Sequence, residues 1–453
     1  MKLQSITFHR LVESIKPLLT ASALVIGARM IGGGLGLISQ VVIARYLGAQ
    51  SLGLFFLSIS VATVLSILVS IGYPFIVTRF MVNGKGCGEA PELMGFITSA
   101  RWDIFVASLV SVAIGSAVVA LLPSLSTEAR ICLVLGVLTA PVFALLRFNS
   151  TIANGEKRFM MAYLPDLVIR PLLLLTSVAI LWAASLPPNI IVLVAVNLVI
   201  IVGLVIYQEQ ALPRILPAAP GYGAPKSTNA EQRKRWRQHA TPMIIATLFL
   251  NMFADFDLVL LGAILPSREL ALFGAAIKIA LFVAFAIQIG HQLILRDLAE
   301  AISDKDDASI RRIITQANGI AIVLSGGALG FIILFGDKVL GLFGHEFTDG
   351  YMCLVILMVA QFLRALAGPG AQVLTLTGHE GRSLPVFVGG LILLVLANFP
   401  LIRLFGLEGA AFAVLIVTIS WTVGLAIAAQ KKSGISVMFL QSSLVTNTAR
   451  RKC

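Results

Sequence analysis

Five basic residues, Arg29, Arg147, Arg170, Lys278 and Arg364, stand inside stretches otherwise apolar enough to cross a bilayer. Three acids, Asp166, Asp255 and Asp257, share that setting. A charge at membrane depth costs at least ~2.5 kcal/mol unless it faces protein or water, so each of these residues needs a partner or a task. Arg29 shows the problem. Its apolar stretch begins at Ala21, and at ~1.5 Å per residue the arginine lies about 12 Å into it. Gly33, Gly36 and Gln40 follow at helical spacing, with Ser22 before it, so all share one helix face. Gly32 and Gly36 also make a GxxxG spacing, which predicts a close helix contact. Helix contact accounts for the glycines but not the arginine, which points to a helix lining a wet interior.

A second stripe of the same character holds Gln361, Arg364, Gly368, Gln372 and Thr375. Gly368-Pro369-Gly370 interrupts that helix near its middle, freeing backbone groups that only a protein or water interior tolerates. Lys278 and Gln292 share a face, as do Thr247, Asn251 and Asp255, with Asp257 pointing elsewhere. Asp166 and Arg170 are four apart with the acid first, which predicts mutual neutralisation. Arg147 is near enough to the cytoplasmic end of its span either to snorkel or to join the lining. Arg29, Lys278 and Arg364 are deeper and lack an acid on their own helix. Asp255 or Asp257 either partners one of them across helices or binds a coupling proton or sodium ion. The basic excess favours an anionic ligand, and guanidinium groups favour phosphate through bidentate hydrogen bonds. Such charges act more strongly in a low-dielectric vestibule than at a wet surface. No catalytic group, metal site or cofactor is expected beyond that coupling ion.

The elements that must position these residues are membrane spans. With 58% hydrophobic and 12% charged residues, a soluble domain is excluded. Twelve spans are expected: 21–46, 52–77, 101–122, 130–154, 162–184, 189–207, 240–264, 270–294, 313–335, 351–377, 384–403 and 408–430. The formal net charge of +12 raises nucleic acid as a partner, but the basic residues sit between spans, the mark of topology control. With the N-terminus inside, 24 Lys and Arg fall in cytoplasmic segments and 5 in outer ones, so both ends are predicted to be cytoplasmic. Residues 1–20 are basic and amphipathic, predicting a surface helix on the inner leaflet, and no cleavable signal is visible. Residues 208–239, rich in Pro, Gly and charge, predict a mobile cytoplasmic linker between an N-terminal six-helix lobe (1–207) and a C-terminal one (240–430), with a basic tail at 431–453. The basic cluster Arg233–Arg237 reads as a headgroup anchor. Residues 295–312 mix charge signs and read as a solvated, partly helical connection. The four cysteines are scattered without metal-type or framework spacing, so redox chemistry is not expected.

An internal repeat relates the two lobes. Gly48 matches Gly262, Leu54-Phe55 matches Leu272-Phe273, and Gly155 matches Gly378. Six spans per half put both copies in one orientation, related by an axis along the membrane normal, an arrangement used for alternating access. GxxxxGK[ST], HExxH and GxSxG are missing. The outer connections are short, the longest being about 336–350, and leave no room for an external catalytic domain.

Twelve spans in two sixes, Ala44–Ala49 (ARYLGA) ending the first, Gly53–Phe55 (GLF) opening the second and Ala153–Phe159 (ANGEKRF) after the fourth together resemble a known group. It is the polysaccharide-transporter branch of the multidrug/oligosaccharidyl-lipid/polysaccharide flippase superfamily, the O-antigen and exopolysaccharide flippases. Arg29 and Ala44–Ala49 also match the first-span arginine and AR-x-x-GA ending of the lipid II flippases, and Lys278 their basic residue early in the eighth span. Those flippases carry terminal spans that this chain lacks, which argues against lipid II itself as substrate.

The resemblance implies an all-α, V-shaped bundle whose two pseudo-symmetric lobes rock to open a central cavity to each side in turn. It implies a bacterial inner-membrane transporter of undecaprenyl-diphosphate-linked oligosaccharide, associated with membrane lipids and a glycan polymerase or glycosyltransferase complex, and not an enzyme. The expected headgroup and glycan contacts are Arg29, Gln40, Arg147, Lys278, Gln361, Arg364 and Gln372. A drug or cation antiporter of the same fold would want an acidic, aromatic cavity, and a membrane-embedded glycan polymerase or ligase a large outer loop. An inactive scaffold in a glycan-assembly complex is a further alternative.

Overall fold

The computed structural model describes residues 2–77, 90–123, 125–185, 187–215 and 230–438. The side chains of 2–26, 90–93, 214–215, 241–243, 245–252 and a few single positions lie outside that description. Every regular element within it is a helix. In chain order these are α1 (Lys2–Val69), α2 (Ala90–Leu121), α3 (Thr127–Gly155), α4 (Phe159–Leu164), a π-helical turn (Pro165–Ile169), α5 (Arg170–Ala183) and α6 (Ile190–Ile215). They continue with α7 (Ala230–Gly262), α8 (Ser267–Leu293), α9 (Leu295–Ser303), α10 (Asp307–Gly341), a 3-10 turn (His345–Gly350), α11 (Tyr351–Ala367), α12 (Gly370–Leu376), a 3-10 turn (Glu380–Arg382) and α13 (Ser383–Ser433).

Among the described residues, 9 helices are long and apolar enough to cross a membrane, rather than twelve separate ones. Two of the nine each merge a pair of predicted spans. α1 turns at Gly48 (φ 80°, ψ 173°) and α13 at Gly406 (φ 57°, ψ −129°), both conformations that a side chain disfavours. The predicted seventh span falls in α7, much of whose side-chain detail is not described. Large apolar side chains such as Leu109, Ile114, Val323 and Leu334 face outward, as helices bathed in lipid require.

Local chemistry sets several helix ends. Ser126 caps α3 by accepting from the Ala129 N–H at 3.2 Å. Asp306 caps α10, accepting from the Ala308 and Ser309 N–H groups at 3.1 Å, so the 295–312 connection is two helices joined at a cap. The predicted linker at 208–239 is likewise helical at both ends, through Ile215 and from Ala230.

The chain divides into two compact units. The first comprises Met1–Tyr46 and Ser58–Ile244, the second Leu47–Leu57 and Ile245–Cys453. The stretch 47–57 thus leaves the first repeat and packs on its own counterpart in the second unit. There a Cβ on Gly53 would come within 1.8 Å of the Ser267 carbonyl oxygen, and one on Gly274 within 2.3 Å of the Phe56 ring. Gly262 similarly receives Leu57. The Ala49 N–H, first after the Gly48 turn, donates to Glu346 Oε1 at 2.8 Å. Of the glycines matched in the repeat, Gly262 is thus a contact point between repeat-related segments, while Gly378 meets nothing within 4 Å.

Candidate functional site

In the first unit the site is built around a π-helical turn that two prolines create. Pro165 has no N–H to offer the Met161 carbonyl, and Pro171 none to offer that of Leu167. The ladder slips, and the Arg170 N–H bonds the Pro165 carbonyl five residues back. The Met161 carbonyl is met instead by Gln208 Nε2 of α6 at 3.3 Å. The Leu167 carbonyl presses on α1 at Gly32, where a Cβ would come within 2.3 Å of it. Gly36, its partner in the predicted GxxxG pair, has open space within 4 Å of that position, so one glycine makes the contact and not both.

That turn gathers four of the residues singled out in the sequence. Arg170 pairs with Asp166 at 2.9 Å, the neutralisation expected from their spacing. The Arg170 guanidinium lies 5.0 Å and that of Arg147 5.1 Å from the centre of the buried Phe143 ring. Arg147 also donates to the Ser66 hydroxyl at 3.2 Å, a contact inside the unit. Arg29, half-buried on α1, lies 5.5 Å from the Tyr163 ring centre. A guanidinium against an aromatic face keeps its charge in a desolvated place. Gln40, further along α1, has a buried Oε1 that accepts no hydrogen bond among the described residues.

The second unit holds a different set. Lys278 of α8 pairs with Asp255 of α7 at 3.2 Å, both partly buried, so the acid lacking on its own helix is supplied by a neighbour. Asp257 diverges as expected. It is fully buried and accepts from Asn398 Nδ2 of α13 at 2.8 Å, while its Oδ2 accepts no hydrogen bond among the described residues. The predicted break in the tenth span is present. α11 ends at Ala367, Gly368 takes φ 76°, and α12 starts at Gly370. On α11 the Arg364 guanidinium lies 5.2 Å from the Trp421 ring centre of α13, and the buried Gln361 Oε1 accepts no hydrogen bond among the described residues. Gln372 is half-buried on α12 and Gln292 exposed on α8. The side chains of Ser22, Thr247, Asn251 and residues 1–20 lie outside the description, as does the tail beyond 438, while the backbone of 2–20 continues α1.

Residues 18–288 match the family described as "Polysaccharide biosynthesis protein", more than half the chain. This chain belongs to that family. One curated relative in sequence is the "Probable low-salt glycan biosynthesis flippase Agl15" of Haloferax volcanii, 23% identical over 174 residues. That match takes in 38% of this chain and spans 36% of the relative's length. Among solved structures, a multidrug resistance MATE family transporter of the MOP superfamily, inward-facing, gives a TM-score of 0.74 at 15% identity, covering 95% of this chain and 99% of that one. The lipid II flippase MurJ, inward closed, gives 0.72 at 12%, covering 90% and 87%. At these identities the likeness is one of fold, and it makes this polysaccharide biosynthesis protein a multi-pass membrane protein of the MOP superfamily fold.

Sequence reasoning missed two parts of this family member. His291 of α8 is buried, its Nε2 accepts no hydrogen bond among the described residues, and it feels the charge of Arg364. A histidine near a helix end gave no sign of that depth. The second is a cluster on the first unit, where Arg237 of α7 grips Asp103 of α2 with Nε at 2.9 Å and Nη2 at 2.5 Å. The Tyr73 hydroxyl donates to the same carboxylate, Arg233 donates to Ser99, and Trp236 is buried edge-on to Phe96. Those hydrogen bonds hold Arg237 protonated well above the ordinary guanidinium range. The cluster read as a headgroup anchor is thus in good part an internal clamp. Asp103, just inside the predicted third span, was the available clue.

Proposed function

We propose that this protein is an alternating-access flippase that moves undecaprenyl-diphosphate-linked oligosaccharide from the cytoplasmic to the outer leaflet of a bacterial inner membrane, for O-antigen, capsule or exopolysaccharide assembly. Both termini lie in the cytoplasm, as the 24-to-5 distribution of Lys and Arg supports. Family membership and the flippase names of its relatives support the glycan-lipid substrate. The observation that carries the reading is the pair Arg29 and Arg364, one in each unit, each partly buried at span depth on an aromatic ring. Each offers a cationic contact, within its own unit, to an anionic group of the substrate, diphosphate or acidic sugar. Arg147 and the acceptors Gln40, Gln361 and Gln372 assist with the glycan, and Lys278, offset by Asp255, contributes less. Asp257, with one oxygen on Asn398 and the other open to a proton or sodium ion, is the coupling group. A glycan polymerase or glycosyltransferase complex is the expected partner. A drug antiporter shares the fold, but the basic excess opposes cationic cargo.

The test is complementation of a knockout of this gene. Arg29→Ala and Arg364→Ala should each reach normal protein levels, leave surface glycan missing and let lipid-linked oligosaccharide accumulate inside. Full surface glycan in both variants removes the site assignment.

A further inference from the structure

The bend between α11 and α12 is held by a piece of chain from far away in sequence. Neither helix end has a side-chain cap: α11 stops on Gly368, and Pro369 precedes α12 without a side-chain hydrogen bond. With seven residues, α12 is too short to persist alone in water or protein without tertiary support. One support comes from α13, where Gly370 packs on the Leu425–Ala426 backbone. Another comes after α13. Gly434 takes φ 71° and closes that helix with its N–H on the Gln430 carbonyl, and residues 434–438 then run on without regular structure. Val437 is 1% exposed, and its carbonyl accepts from the buried Asn318 Nδ2 of α10 at 2.8 Å, across 119 residues. That same carbonyl oxygen lies 2.2 Å, and Asn318 Nδ2 2.9 Å, from where a Cβ on Gly368 would stand. Gly368 is therefore glycine twice over, for its positive φ and for the seat it leaves to Val437.

We propose that residues 434–438 are a latch that fixes the angle between α11 and α12, and that releasing it frees α12 to reorient. The consequence reaches the polar stripe, because Gln361 and Arg364 lie on one side of the bend and Gln372 on the other. The α13 contact is made by continuous helix backbone and stays. The latch is a short irregular segment whose hold includes the Asn318 hydrogen bond and the buried Val437, so it is the support that can be removed. It does not depend on what the protein carries.

Hydrogen exchange read by mass spectrometry on the full chain in lipid nanodiscs tests this, against a chain stopped after Ser433, one stopped after Met438, and Asn318→Ala. Amides of 370–377 should exchange at least about fivefold faster in the Ser433 stop and in Asn318→Ala, as expected for loss of a buried hydrogen bond. The Met438 stop should match the full chain, and peptides from 127–155 in the first unit should not change in any variant. Unchanged exchange at 370–377 without the latch overturns the proposal. So does equal acceleration in both units, which would mark general loss of stability. Should the Ser433 stop fail to fold, Asn318→Ala in the full chain gives the same readout.

Discussion

The clamp on Asp103 is open to a quantitative test. The Asp103 side chain is 2% exposed and that of Arg237 53%. Removing Arg237 strands a buried carboxylate, for which a fully enclosed pair would lose ~3–5 kcal/mol. The Arg237 side chain is more than half exposed, so screening brings the expected loss for Arg237→Ala down to about 2 kcal/mol. Asp103→Asn keeps an acceptor for the Tyr73 hydroxyl but gives up the charged, bidentate bonds, again about 1.5–2 kcal/mol. With both changed, no unpaired charge remains. The double variant should then lose about 2 kcal/mol, well short of the sum, leaving a coupling of about 1.5 kcal/mol. Equilibrium unfolding of the purified protein in mixed detergent–SDS micelles, over the four members of this cycle, measures it. Additivity within about 0.5 kcal/mol would mean the two side chains act independently, and the clamp would be refuted.

The glycine geometry makes a paired prediction. Gly32→Ala drives a methyl to 2.3 Å from the Leu167 carbonyl oxygen and should cost about 1–3 kcal/mol, seen as a lower yield of folded protein. Gly36→Ala meets nothing within 4 Å and should be neutral or stabilising by up to about 1 kcal/mol; equal losses at the two sites would contradict the assigned contact. At the proposed coupling site, Asp257→Asn should express normally but make lipid-linked oligosaccharide transport in vesicles indifferent to an imposed proton or sodium gradient. A variant that still responds to either gradient would move coupling away from Asp257.

The sequence carried the class of fold because a bilayer imposes it: apolar runs of sufficient length have to be helices, and the placement of Lys and Arg constrains their orientation. It carried the break at Gly368-Pro369-Gly370 and the Asp166–Arg170 pair for a similar reason, since both are local and follow from proline chemistry or from four-residue helical spacing. A cross-helix partner for one of the deep basic residues was legible as one of two roles for Asp255 or Asp257, but which groups meet was not. Lys278 and Asp255 lie on different helices, and so do Asp257 and Asn398, and periodicity within one helix says nothing about which faces meet. Arg237 read as a surface charge because its neighbours in sequence are basic, and only packing of α7 on α2 put it against a buried carboxylate. Nor does the GxxxG spacing say which glycine is used. That was settled by Pro171, which denies the Leu167 carbonyl its helical donor and leaves it pressed on Gly32, so a side chain's task here depends on the backbone group it meets across the fold.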